Sequence, residues 1–167
     1  MRKKTKEYLK IFTISIVLPL VVGGLSALLT MSNMNIYKEL QQPPLAPPSW
    51  LFPVVWTILY VLMGVSFGLY WIARPVGEGA VRSKMWEQGL SFYLASLAFN
   101  FAWSILFFNL RWFLFAFVWL IVLLFLIVGT ILAYRKFTPV AAYLQIPYAL
   151  WVAFAGYLNF GIWFLNR

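Results

Sequence analysis

The chain has 167 residues, 63% of them apolar and only 10% charged, with a formal net charge of +9 and neither His nor Cys. A water-facing globule is excluded, because that composition leaves too little polar surface to cover one. The missing His and Cys remove thiol nucleophiles, disulfides, imidazole acid–base chemistry and the softer metal ligands, so neither a metal site nor an obligatory cofactor is expected.

Five stretches, at about 11–31, 52–73, 89–108, 112–134 and 143–165, are continuously apolar and free of Asp, Glu, Lys and Arg. Each is long enough for a helix to cross a hydrocarbon core of about 30 Å, which takes roughly 20 residues. The pattern is continuous rather than alternating, which predicts helices and not a barrel. The expected fold is an all-α integral membrane protein, a single five-transmembrane-helix domain over 1–167, with little chain left outside the spans.

The first span follows MRKKTKEYLK, which looks like the start of a signal peptide. Its apolar run is long, however, and Leu25-Ser26-Ala27 is a poor cleavage site, so it reads as an uncleaved span. Pro19 followed by Gly23-Gly24 predicts a kink or a close helix contact there. The connection at 32–51 carries PPLAPP, whose four prolines restrict it to near polyproline geometry and withhold backbone donors. It serves as a lid across one end of the bundle or as a rigid spacer.

On the second span Trp56 and Tyr60 are four residues apart, and on the third Asn100 and Trp103 are three apart, so each pair shares a helix face. Gln145, Tyr148 and Trp151 or Val152 repeat this spacing on the fifth span, beside Pro147. Three helices therefore present aromatic-plus-polar faces, suited either to packing through interhelical hydrogen bonds or to a flat, mostly apolar ligand pocket. Gly64 and Gly68 form a GxxxG, read as close packing inside the bundle, with a dimer contact as the alternative. Trp50, Trp71, Trp86, Trp112 and Trp163 lie near span ends and read as interfacial anchors.

Ten of the 13 Lys and Arg lie in the N-terminal tail and in the connections after the second and fourth spans, against Lys38, Arg111 and Arg167 on the other side. Basic segments stay in the cytoplasm, so a multi-pass cell-membrane protein is expected, with its N-terminus inside and its proline loop and C-terminus outside. The positive charge then reports topology and attraction to anionic lipid; no nucleic-acid partner is expected. With no ionisable side chain inside a span, a proton-coupled transporter is disfavoured.

In order, Ile36-Tyr37, PPLAPPSWLFPVVWTILY at 43–60, FNFAWSILFF at 99–108 and IPYALWVAFAGYLN at 146–159 resemble the translocator protein family. These are the tryptophan-rich sensory proteins, also called peripheral-type benzodiazepine receptors, and the chain looks like a bacterial member. The resemblance covers essentially the whole chain. It implies a homodimer of five-helix bundles, each with one pocket closed by the first loop, that binds porphyrins such as protoporphyrin IX and isoquinoline carboxamide or benzodiazepine compounds. It implies a receptor or sensor, with porphyrin as ligand or as the substrate of light- and oxygen-dependent breakdown; a passive transporter of porphyrin or another flat hydrophobe is the alternative.

Matched motif by motif, the resemblance places Trp56 and Trp151 against the ligand, with a photochemical role for both. It puts Tyr37, Phe52, Tyr60, Asn100, Trp103 and Tyr148 around the ligand, Ala155 and Ala27 as small contacts, and Pro47 and Pro48 in the lid. Without His or Cys a metal-free porphyrin is the better fit, since haem iron would lack its usual axial ligands. Three departures stand out, the first a connection at 74–88 that is longer than in compact members of the family. The family's loop motif, Lys-Pro-x-Trp-x-Pro-Pro, is here Gln42-Pro43-Pro44-Leu45-Ala46-Pro47-Pro48, without the Lys or the Trp. The animal cholesterol motif is also broken, with Phe160 for its Tyr and Phe164 for its base, so a sterol partner is not expected.

Overall fold

The computed structural model describes residues 2–77 and 79–167, and its regular elements are all helices. In chain order they are α1 (Arg2–Thr30), extended by a 3-10 turn at Met31–Asn33, then α2 (Ile36–Glu39) and α3 (Leu51–Ile72). There follow α4 (Ala80–Ser104), continued by a π turn at Ile105–Asn109, then α5 (Phe113–Arg135), α6 (Pro139–Leu144) and α7 (Ile146–Leu165). Five helices are long and apolar enough to cross a membrane: Lys4–Asn33, Leu51–Ile72, Ala80–Asn109, Phe113–Arg135 and Pro139–Leu165. The architecture is a five-helix bundle, as the sequence predicts.

Two helices outrun their apolar stretches. At 1.5 Å per residue α1 is about 45 Å long, against about 30 Å of hydrocarbon, so its turns bearing Lys4, Lys6 and Lys10 project beyond the apolar layer. Likewise α4 starts at Ala80, and the connection expected at 74–88 is mostly helix. The fifth span is broken instead of merely kinked: α6 ends at Leu144 and α7 restarts at Ile146. Pro147 sits in the first turn of α7, where its missing N–H breaks no helical bond. The break is stitched to α3, because Gln145 Nε2 donates to Ser66 Oγ at 3.0 Å and Ser66 Oγ donates to the Ala141 carbonyl at 2.7 Å.

The GxxxG on α3 faces α1. A Cβ at Gly64 would stand 2.5 Å from Ile16 Cα and 2.8 Å from the Ser15 carbonyl oxygen, and one at Gly68 would strike the Phe12 ring at 2.7 Å. Pro19 has no N–H, so the Ser15 carbonyl lacks its usual helical donor. Gly64 lets α3 press its backbone against that oxygen, in the manner of small-residue membrane packing. The motif is thus spent inside the bundle.

At the end of the bundle away from the proline loop, Tyr70 stacks on Trp86 (5.4 Å, 5°) and on Tyr134 (3.7 Å, 10°). Tyr70 OH donates to the Trp86 carbonyl at 2.9 Å, and Trp86 Nε1 donates to the Tyr70 carbonyl at 3.2 Å. Trp86 is therefore buried in the core, contrary to its reading as an interfacial anchor, whereas Trp50 (65% exposed) and Trp112 (56%) fit that reading.

Candidate functional site

A cavity of about 370 Å3 lies between α1, α3, the α4–π segment and α7, with Met34, Asn35, Tyr37, Lys38, Ser49 and Trp50, which flank the prolines of the first loop, at one end. Its volume falls at the lower end of the range for small-molecule sites. Gly23, Ser26, Ala27 and Thr30 of α1 form one wall, and Phe52, Trp56 and Tyr60 of α3 form the next. Trp103, Phe107 and Phe108 close a third side, and Ala155, Leu158, Asn159 and Ile162 of α7 the fourth. Asn35, Lys38 and Ser49 stand at the loop end, and Lys38 is the one lining residue with a formal charge.

Each aromatic wall is held by a specific contact. Trp56 stacks on Tyr60 with centroids 5.5 Å apart and planes 27° off parallel. Tyr60 OH donates to Asn100 Oδ1 at 2.8 Å, and Asn100 Nδ2 in turn reaches Tyr148 OH at 3.1 Å, so one buried amide joins α3, α4 and α7. Trp103 Nε1 donates to Asn159 Oδ1 at 3.1 Å, while Asn159 Nδ2 donates to the Phe113 carbonyl at 2.7 Å. The π turn follows at once, and it brings the adjacent Phe107 and Phe108 both onto the cavity, a local widening of the kind often found at functional sites.

The proline loop is tied to the far end of α7. Tyr157 OH donates to the Pro44 carbonyl at 2.8 Å, and Asn166 and Gln41 exchange two hydrogen bonds of 2.9 Å each. Pro43 packs on Gly161, where a Cβ would come within 2.6 Å of its ring. Inside the loop Tyr37 OH donates to the Pro47 carbonyl at 3.2 Å, and burial raises its pKa above the ordinary phenol value. Leu45 adopts φ +66°, a left-handed turn that reverses the chain between the two proline pairs. The first half of the connection, Gln41 to Pro44, is thus held against α7, while its second half is braced internally through Tyr37.

Of the residues singled out from the sequence, Ala27, Tyr37, Phe52, Trp56, Tyr60, Trp103 and Ala155 line the cavity. Asn100 and Tyr148 do not; they are the buried supports of Tyr60. Pro47 and Pro48 belong to the loop, Pro47 through its carbonyl contact with Tyr37. Trp151 is displaced from the wall by Phe52, which stands edge-on to it at 6.0 Å, and its buried Nε1 has no hydrogen-bond partner. Gln42, at the position of the family's loop lysine, is exposed and donates to the Tyr37 carbonyl at 2.6 Å. The sequence reading missed the π turn, Gly23, Ser26 and Thr30 beside Ala27 on α1, and Lys38; the Gly23-Gly24 doublet was the available signal for α1.

Over residues 15–164 the chain matches the model of the TspO/MBR family. The chain belongs to that family. It is 38% identical over 130 residues to the tryptophan-rich protein TspO of Chlorobaculum tepidum, covering 78% of each chain. It is 33% identical over 153 residues to the protein of that name in Archaeoglobus fulgidus (91% of this chain, 94% of the relative), and 37% over 151 residues to the translocator protein of Bos taurus (90% and 86%). TspO/MBR relatives at similar identity thus come from a bacterium, an archaeon and a mammal, so the resemblance is to the family and not to its bacterial branch alone. The protein is a multi-pass membrane protein of the TspO/MBR family, of the tryptophan-rich sensory and translocator type.

Proposed function

We propose that the protein is a membrane receptor for flat, mostly apolar ligands of the porphyrin type, with isoquinoline carboxamide and benzodiazepine compounds as synthetic occupants, and that it supports light- and oxygen-dependent breakdown of a bound porphyrin. The observation that carries this reading is the cavity wall: the Trp56–Tyr60 stack, Trp103 and Phe107 around a space of ligand size beside a tethered loop. Aromatic faces add about 0.5–1.5 kcal/mol per stacked contact beyond area burial, which favours a conjugated plate over an aliphatic guest. Breakdown requires light to excite the porphyrin and oxygen as the oxidant, with Trp56 the indole placed to exchange an electron with it. Trp151, one ring further out behind Phe52, has the smaller part. A homodimer of single-domain bundles of the bacterial type, with the N-terminus cytoplasmic, completes the proposal.

The test is a titration of the detergent-purified protein with protoporphyrin IX, following tryptophan fluorescence in the dark and porphyrin absorbance under illumination. Saturable quenching with light-dependent loss of the porphyrin band, slowed in Trp56→Phe, supports the reading. Saturable binding without spectral loss beyond that of free porphyrin removes the photochemical part, and dark flux of porphyrin across sealed proteoliposomes would favour a passive carrier. Absence of saturable binding overturns the proposal.

A further inference from the structure

At the end of the bundle opposite the proline loop, Val81, Arg82 and Met85 of α4 face Lys136 and Phe137 of the α5–α6 connection across a cleft of about 300 Å3. We propose that this cleft is a binding site for the headgroup of an anionic phospholipid. Its composition divides as such a ligand does. Arg82 holds its guanidinium over the Phe137 ring, 5.4 Å from the centroid, and Lys136 supplies a second cation. The other walls are apolar, and among the described residues no carboxylate lines the cleft.

The apolar part decides between a lipid and a free phosphate. Val81 is 76% exposed beside the two cations, and Val140 at the start of α6 is 60% exposed. Such exposure is unfavourable in water but suits side chains at the rim of a bilayer, where acyl chains cover them. The cleft joins the ends of two membrane-crossing helices, so a bound phosphate would lie at headgroup depth with its glycerol and acyl groups running past Val81 and Met85. Basic clefts between membrane helices are a recognised setting for anionic headgroups. Arg74, Lys84 and Arg135 lie at the same end of the bundle but do not line the cleft.

The experiment is native mass spectrometry of the full chain released from detergent with phosphatidylglycerol or phosphatidylcholine of matched acyl chains. The expected result is a preference for phosphatidylglycerol that falls about fivefold in Lys136→Gln and further in Arg82→Gln, the loss of about one juxtamembrane cation's attraction each. Lys84→Gln, a cation at the same end but outside the cleft, should keep the preference. Thermal melting identifies any variant that fails to fold, and Lys136→Gln, whose side chain is exposed, carries the test if Arg82→Gln does. Equal retention of the two lipids, an undiminished preference in Lys136→Gln, or an equal loss in Lys84→Gln would overturn the site. So would competition by millimolar inorganic phosphate as effective as that of the lipid, since the acyl part would then contribute nothing.

Discussion

Tyr60 is seated against the bare backbone of Gly23, and a methyl group at Gly23 would overlap its ring. Both residues line the cavity, and Tyr60 carries Trp56 on one face and the Asn100 hydrogen bond at its tip. Gly23→Ala should push the ring into the cavity and weaken its bond to Asn100. The expected outcome is destabilisation of about 1–3 kcal/mol, as for overpacked cores, with at least tenfold weaker porphyrin binding. Thermal melting and the fluorescence titration check the two parts separately.

Removing the amide at Asn100 tests whether it acts as a joint or as a contact. Asn100→Leu leaves the hydroxyls of Tyr60 and Tyr148 without partners, an expected loss of about 1–3 kcal/mol. Interhelical hydrogen bonds in membranes average only about 0.6 kcal/mol, so a loss above 1 kcal/mol would mark the orphaned phenols as its cause. In that case adding Tyr148→Phe to Asn100→Leu should recover part of it, which a double-mutant cycle in denaturant measures.

The glycines of α3 distinguish packing from dimerisation. Gly64→Val should lower the melting temperature by several degrees, because the new side chain meets the Ile16 backbone, while light scattering shows an unchanged oligomeric state. A dimer that dissociates with its melting temperature intact would reverse that assignment.

The two tryptophans marked for photochemistry are predicted to separate. Trp56→Phe, on the wall, should slow light-dependent porphyrin loss several-fold; Trp151→Phe, behind Phe52, should change it by less than about twofold, since indole–ring contact falls away within about 7 Å. Absorbance decay under a lamp, normalised to bound porphyrin, reads the difference.

Loop closure should be indifferent to pH across the neutral range. Burial raises the Tyr37 pKa, so the folded loop holds its phenol protonated and donating to Pro47. The sign follows: the contribution is fully present below the ordinary phenol value of about 10 and is lost as pH rises past it towards the raised folded value. Porphyrin release rates measured from pH 6 to pH 11 should be flat and then increase.

The five membrane helices were legible because a bilayer writes its thickness into the apolar run. That same mechanism hid the helix ends, since Lys4–Lys10 and Ala80–Gln88 are helical but lie outside the layer that hydropathy detects. Helix faces were legible too: the spacing of Trp56 and Tyr60 predicts a shared face, and on it the two rings stack. Local periodicity says nothing of which neighbour a face meets. Asn100 turned out to support Tyr60 and Tyr148, Gln145 to stitch α6–α7 to α3, and Trp86 to bury itself against Tyr70. The π turn at Ile105–Asn109 has no compositional signature and depends on contacts such as Asn109 Nδ2 to the Leu29 carbonyl.

The paired hydrogen bonds between Gln41 and Asn166, with Pro43 resting on Gly161, make the last turn of α7 the hasp of the loop. Whatever shifts that turn of α7 therefore shifts Gln41 and Pro43 with it.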